Sequence, residues 1–285
     1  MSETSKPRGP ATVAPGRVKE VTSVSNPIVK DIRALAQKKT REETGLFLAE
    51  GLKLVIDALD AGWTIETLVA SRNQIANPLL SRTAARTVAA GADVLEASDK
   101  VLSAITRRDN PQSAIGVFRQ RTVRTSALDL GTDGVVVVLD RVRDPGNLGT
   151  ILRTADAAGV KGVVLVGECV DPFSLEAVRA TMGSIFAVPL VRLEESAFLG
   201  WRLGFKGLVV GTHMNGSVDY RTPPYAGRPA MLLMGNEQAG LSDALAGACD
   251  TLVRIPQVGR ADSLNLAVAT GLMIFEARRA GLALS

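Results

Sequence analysis

Apolar residues along the chain follow two alternating periodicities, and a coarse element map follows from where each one runs. In NPIVKDIRALAQKK (26–39), Ile28, Ile32 and Leu35 recur at helical spacing and predict one helix. A short apolar run, GLFLAEG, comes next. LKLVIDALDAG (52–62) then predicts a second helix, with Gly62 as its stop. IETLVAS, DVLEAS and AIGVF are short β-like runs separated by helical or turn segments. Residues 21–118 thus read as a small α/β module, preceded by a Pro-, Gly- and Lys/Arg-bearing tail over residues 1–20. The polar stretch RQRTVRTSALDLGTDG (119–134) predicts a linker.

Beyond the linker the pattern changes. VVVVLD (135–140), GVVLVG (162–167), LVVGT (208–212), MLLMG (231–235) and TLVRIP (251–256) are near-continuous apolar runs. Such runs mark strands covered on both faces, as in a parallel sheet. Helical stretches fall between them, around 147–159, 173–182, 194–203 and 263–280, so residues 135–285 predict a parallel sheet flanked by helices. Ligands of such sheets bind beyond the carboxyl ends of the strands, which directs attention to the loops there.

Three of those loops are unusual. LDRVRDPGNLGTILRTADAAG (139–159) turns through Asp144-Pro145-Gly146 into a helix near Asn147, with Arg153 six residues further on. That spacing is not one face of a helix, so the two converge only if Asn147 sits in the cap; a plain helix cap and a solvated arginine are the alternative. MGNEQAGLS (234–242) places Gly235, Asn236 and Glu237 at a buried strand's exit, and Gly235 permits close backbone approach or positive φ. IPQVGRADSLNLAVATGLMIFEARR (255–279) leaves its strand through Pro256, and Ser263-Leu264-Asn265 opens a long apolar helix with Ser263 as the expected N-cap. Capping alone leaves unexplained why all three exits carry small and amide residues beside one arginine.

Composition narrows the choices further. Only one histidine, His213, is present, so a multi-histidine metal site and multi-histidine catalytic groups are excluded; His213 itself reads as structural. The two cysteines, Cys169 and Cys249, are far apart and read as small buried hydrophobes of a cytoplasmic, reduced protein. No apolar run reaches the length of a membrane span, and residues 1–16 lack a secretory core. The net charge of +4 suits a polyanionic partner without demanding one. No G-x-G-x-x-G follows any strand, which disfavours a nucleotide-binding dehydrogenase.

Taken together, DPGNLGTILRTADAAG, GNEQAG and IPQVGRADSLN resemble, in order and separation, three signatures of the SpoU (TrmH) family of RNA ribose 2′-O-methyltransferases. VRATMGSIFAVP (178–189) is a weaker fourth match. Gln257 stands where methionine is common, and Leu266-Ala267-Val268-Ala269 departs from the usual run. The resemblance implies an α/β fold: a knotted (deep trefoil) parallel-sheet methyltransferase domain behind a small α/β, ribosomal-protein L30e-like RNA-binding domain over residues 21–118. DNPQSAIGVF (109–118) is the most similar part of that accessory domain.

It also implies S-adenosylmethionine as cofactor, without a metal. Thr212, Gly235, Ile255 and Leu264 would hold it, and the chain would form a homodimer through the C-terminal domain. Arg153 would bind the phosphate beside the target ribose and polarise its hydroxyl, with Asn147, Glu237, Ser263 and Asn265 orienting both. An arginine resists deprotonation, so the identity of a general base stays open. Lys38, Lys39, Arg41, Arg107 and Arg108 are the candidate RNA phosphate contacts. The implied substrate is ribosomal RNA, with transfer RNA as the alternative; an RNA-binding protein without activity is disfavoured by the intact signatures. Some relatives methylate their own large-subunit RNA to resist avilamycin or thiostrepton, and the sequence does not choose between that role and housekeeping.

Overall fold

A computed structural model describes residues 14–214, 216–260 and 263–283. The chain divides into two compact units, residues 1–119 and 120–285. In the first, β1 (Val18–Val21), β2 (Leu46–Glu50), β3 (Ile65–Ser71), β4 (Asp93–Ala97) and β5 (Ala114–Arg119) form a sheet in the order β1-β4-β3-β5-β2. Strand β5 is antiparallel to both its neighbours, and the other pairings are parallel. The helices of this unit are α1 (Pro27–Ala34), α2 (Lys38–Thr44), α3 (Leu52–Asp60), α4 (Pro78–Ala89) and α5 (Asp99–Thr106).

Two expectations change here. Residues 1–13 of the expected tail lie outside the described residues, and its end at residue 20 falls inside β1, which pairs with β4. Four residues, VKEV, are too few to show a periodicity. The single helix over 26–39 is two helices. Asn26 caps α1 by accepting from Ile28 N, and the Arg41 guanidinium donates to the carbonyls of Leu35 (2.8 Å) and Ala36 (3.0 Å) just past its end. Carbonyls left without intrahelical partners at a helix end need such donors. Arg41 is therefore buried, 4% exposed, and spent on the fold; it is not a phosphate contact.

In the second unit, β6 (Val135–Asp140), β7 (Gly162–Val166), β8 (Leu190–Leu193), β9 (Leu208–Thr212), β10 (Val218–Asp219), β11 (Ala230–Met234) and β12 (Thr251–Arg254) form one sheet, ordered β10-β12-β9-β11-β6-β7-β8. All its pairings are parallel. Its helices are α6 (Pro145–Ala157), α7 (Leu175–Thr181), α8 (Glu195–Gly204), α9 (Asp243–Gly247) and α10 (Leu266–Arg278). Every residue of β6, β7 and β11 is buried, which is why those strands read as unbroken apolar runs. The peripheral strands β8 and β10 are short and partly polar, and periodicity did not announce them.

Packing fixes two further features. The expected linker is partly core: Val123 N donates to Leu190 O (2.8 Å), and Leu128 packs among Val136, Val164 and Phe198. At Gly149 on α6 a Cβ would stand 2.3 Å from Ala180 Cβ on α7, so only glycine lets these helices approach so closely. Both cysteines are free thiols; burial raises the pKa of each, that of Cys249 to about 12. A thiol-specific disulfide reagent at pH 8 should therefore modify neither in the native protein and both after denaturation. The pH sign follows: the thiols are neutral in both states below about 8.5, and stability falls only above it, where the unfolded thiols ionise.

Candidate active site

Sheet order places β6 beside β11 and β11 beside β9, although β7, β8, β9 and β10 intervene in sequence between β6 and β11. Strands β7 and β8 extend the sheet one way and β9 the other, a switch of direction that opens a crevice at the strand ends. The exits of β6, β11 and β12 are thereby brought together. A cavity of about 900 Å³ lies there, lined by Asn147, Thr212, Gly235, Glu237, Ile255, Ser263, Leu264 and Asn265.

The exits are tied by side chains far apart in sequence. Asn265 is the N-cap of α10, its Oδ1 accepting from Ala267 N (2.9 Å) and Val268 N (3.3 Å). Its Nδ2 then donates to Asn147 Oδ1 (2.9 Å), and Asn147 Nδ2 donates to Glu237 Oε1 (3.1 Å). A carboxylate offers only acceptors and a cap oxygen must accept, so both amide orientations are forced from the two ends of this chain. Glu237 also accepts from the backbone N–H of Asp144 and of Arg143, each at 3.4 Å. One carboxylate thus joins the β11 loop to the opening of α6.

Beneath this chain lies a second link. Asp140, 1% exposed at the end of β6, takes a forked pair of bonds from Arg141 (2.7 and 2.9 Å) and accepts from Ser242 N (2.8 Å). The Asp140 carboxylate raises the pKa of the Arg141 guanidinium above its ordinary value. Arg141 sits at φ +51, and its carbonyl accepts from Asn236 Nδ2 (2.7 Å). Asn236 Oδ1 accepts from Gln238 N (3.0 Å) and Ala239 N (3.1 Å), closing the loop on itself.

Several expectations are corrected by this geometry. Asp144, not Asn147, is the cap of α6, accepting from Asn147 N at 2.6 Å, which frees the Asn147 amide to face the cavity. Likewise the cap of α10 is Asn265 rather than Ser263, because the helix begins at Leu266; Ser263 lines the cavity instead. Gly235 serves close approach and not positive φ: a Cβ there would stand 2.2 Å from Gly240 C and Leu241 N, while Gly240 takes the φ of +69°. Arg153 does not line the cavity of its own chain. It is exposed on α6, between Thr150 and Thr154 of a shallow surface that α10 completes.

The cavity lining also includes residues not anticipated as site residues, among them His213, Met214, Asn236 and Arg254. His213 N bonds Val253 O (3.0 Å), which ties the β9 exit to β12. For Asn236 the sequence did hold a signal, since an Asn followed by a short loop to Gly is a pattern for a self-closing turn. Lys38 and Lys39 lie on α2, before β2, whereas Arg107 and Arg108 follow α5 at the other end of the sheet; these candidates form no single patch. Among the described residues no group of three or more His, Cys, Asp or Glu could hold a metal, and no helix is long and apolar enough to cross a membrane.

Glu237→Gln leaves one acceptor oxygen and turns an NH2 toward N–H donors. Losing charge-assisted bonds of about 1.5–3 kcal/mol should loosen the β11 loop and lower the melting temperature by several degrees. A thermal melt against the parent chain measures the loss.

Residues 134–275 match the SpoU rRNA Methylase family, and residues 26–116 match the MRM3-like substrate binding domain. The chain is 35% identical over 263 residues to the 23S rRNA (guanosine(2553)-2′-O)-methyltransferase RlmP of Bacillus subtilis, covering 92% of this chain and 100% of that protein. It is 31% identical to the 23S rRNA (uridine(2479)-2′-O)-methyltransferase of Streptomyces viridochromogenes, covering 86% of each. Among solved structures, an AdoMet-bound rRNA methyltransferase from Sinorhizobium meliloti superposes with a TM-score of 0.88 at 60% identity, covering 93% of this chain and 99% of that one.

Proposed function

The chain belongs to the SpoU rRNA Methylase family, and from that premise we propose that it transfers a methyl group from S-adenosylmethionine to a ribose 2′-hydroxyl of large-subunit ribosomal RNA. The observation that carries this reading is the Asn265–Asn147–Glu237 chain, which draws three strand exits around one cavity. The cavity suits the cofactor. Ile255, Leu264 and Leu266 supply apolar walls, and Thr212 with the Gly235 and Ile255 main chain supplies polar groups. When bound, the cofactor supplies an electrophilic methyl on a sulfonium.

What remains for the protein is alignment and charge. Asn147, Glu237 and Asn265 hold the α6 opening against the β11 loop, so the sugar meets a preorganised wall. Ser263 at the cavity edge offers a hydroxyl to the ribose. Arg153 binds the phosphate beside the target ribose and polarises its hydroxyl, acting by charge. Since Arg153 lies outside its own chain's cavity, it acts in the cavity of a second copy within a symmetric homodimer. The support is the surface that flanks it: Val268 (54% exposed), Leu272 (38%) and Phe275 (50%) of α10 present apolar side chains beside Thr150 and Thr154.

Narrower parts of the reading rest on other features. A deep trefoil knot in the second unit is supported by the path of its last third: β12 lies beyond β9, and α10 returns to α6, where Arg278 Nε donates to Ala158 O (3.2 Å). The strand order of the first unit supports an L30e-like RNA-binding role for it. Residues 135–285 are then the methyltransferase domain, in the cytoplasm with the ribosome. Transfer RNA is the alternative substrate, and the two relatives named for 23S rRNA favour ribosomal RNA. Identities of 35% and 31% to enzymes of different nucleotides favour neither nucleotide, nor a resistance role over housekeeping. Incubating the purified chain with 23S rRNA and labelled cofactor, then mapping ribose methylation, tests the proposal; label on a base, or on transfer RNA alone, would overturn it.

A further inference from the structure

Within the first unit the exits of β1, β2, β3 and β4 and the entry of β5 lie at one end of the sheet, since β5 alone runs antiparallel. Polar side chains stitch this end into a continuous rim. Ser98 Oγ, before α5, donates to Thr22 O after β1 (3.4 Å). Asn73 Nδ2, after β3, donates to Asp99 Oδ2 on α5 (2.9 Å). The loop 107–113 closes the rim: Ser71 N donates to Ser113 O (2.8 Å), Gly51 N donates to Ala114 O (2.9 Å), and Gln112 lies over Gly51. Arg107, Arg108, Asn110, Gln112 and Asn73 are all exposed along it.

The opposite end is different in kind. There Lys38 and Lys39 each pair with an acid one turn on, Glu42 (3.7 Å) and Glu43 (3.8 Å), and Arg41 is buried. The exposed charge of α2 therefore sums to about zero. At the strand-exit rim Glu50 is buried under Arg108 (3.8 Å) and the exposed Asp99 is bonded by Asn73 and Ser71, so the acid that the 107–113 loop presents to solvent is Asp109, beside two arginines. Along loop 107–113 solvent meets two arginines against one acid, together with the amides of Asn110 and Gln112 and of Asn73 beside them.

We propose that this strand-exit rim, and not the lysine-bearing α2, is the RNA-reading surface of the first unit. Arg107 and Arg108 contact phosphates of an unpaired segment, and Asn73, Asn110 and Gln112 face its bases. Side-chain amides carry both donors and acceptors and so match the exposed edges of unpaired bases, the form in which RNA is read by sequence. Loops at strand exits also suit this task because a rigid sheet fixes them. The inference rests on the RNA methyltransferase reading above and deepens it.

The test compares three variants of the full-length chain on in vitro transcribed 23S rRNA. Arg107→Asn/Arg108→Gln keeps a residue tolerant of the φ of +57° and a side chain able to donate to Glu50. Asn110→Ala/Gln112→Ala changes only exposed amides, and Lys38→Ala/Lys39→Ala is the control at the other end. The arginine pair should raise the KM for RNA at least tenfold and reduce the slope of log affinity against log salt by about 1.4, two single-strand phosphate contacts' worth. The amide pair should raise KM with the salt slope unchanged, and the lysine pair should do neither. Cofactor affinity and kcat at saturating RNA should stay at the parent level throughout. Rim variants that match the parent, or a lysine pair that carries the loss, would overturn the rim while leaving the methyltransferase reading intact. A parent chain that binds cofactor yet methylates no RNA would instead sink that reading, and the rim with it.

Discussion

Arg153→Ala is expected to lower kcat for methyl transfer by about 10²–10³-fold, the usual cost of removing one preorganised electrostatic group, with cofactor affinity unchanged. The second half follows from its assigned role, because Arg153 is placed against the RNA phosphate and the ribose hydroxyl and not against the cofactor. The proposed partnership of Arg153 with a second copy gives a sharper expected result still. Co-expressing Arg153→Ala with Glu237→Ala, each nearly inactive alone, should restore about a quarter of parental specific activity. Random pairing makes half the dimers mixed, and each mixed dimer has one intact composite site out of two. If Arg153 served its own chain, both sites of a mixed dimer would be defective and no activity would return. That outcome would refute the composite site.

Gly235→Ala is the second large effect, and it comes from sterics alone. The added Cβ would lie 2.2 Å from Gly240 C and Leu241 N, which are backbone atoms that no rotamer change can move. The loop must open, and overpacking of this kind costs about 1–3 kcal/mol. Opening it draws Asn236 from the Arg141 carbonyl and Glu237 from Asn147. Cofactor affinity should fall about 5- to 150-fold on that cost, together with turnover, as isothermal titration would measure. A variant that binds cofactor normally would show that the close approach at Gly235 is dispensable.

Much of the molecule was legible before any coordinates. The five apolar runs of the second unit became strands because both faces of β6, β7 and β11 are covered, and nothing polar could interrupt them. The signature residues Asn147, Glu237, Ser263 and Asn265 do line one cavity, although up to 118 residues separate bonded partners. Failures came where local rules have equivalent solutions. Both Asp144 and Asn147 are good caps, and so are Ser263 and Asn265; which one caps depends on where the helix starts, a matter of packing. The break between α1 and α2 depends on an arginine folding back onto carbonyls five and six residues earlier.

By itself, then, the chain's pattern determined element type, the parallel character of the second sheet and the residues that gather at strand exits, because these follow from burial periodicity and from chemistry local to each loop. Only the tertiary structure decided the strand order that sets β6 beside β11, the direction of every amide in the Asn265–Asn147–Glu237 chain, the burial of Arg41 and the position of Arg153 outside its own cavity. Each of those depends on which distant surface a side chain meets, and a one-dimensional pattern does not encode that. An arginine on a helix reads the same whether it faces a carbonyl, solvent or a second copy of the protein.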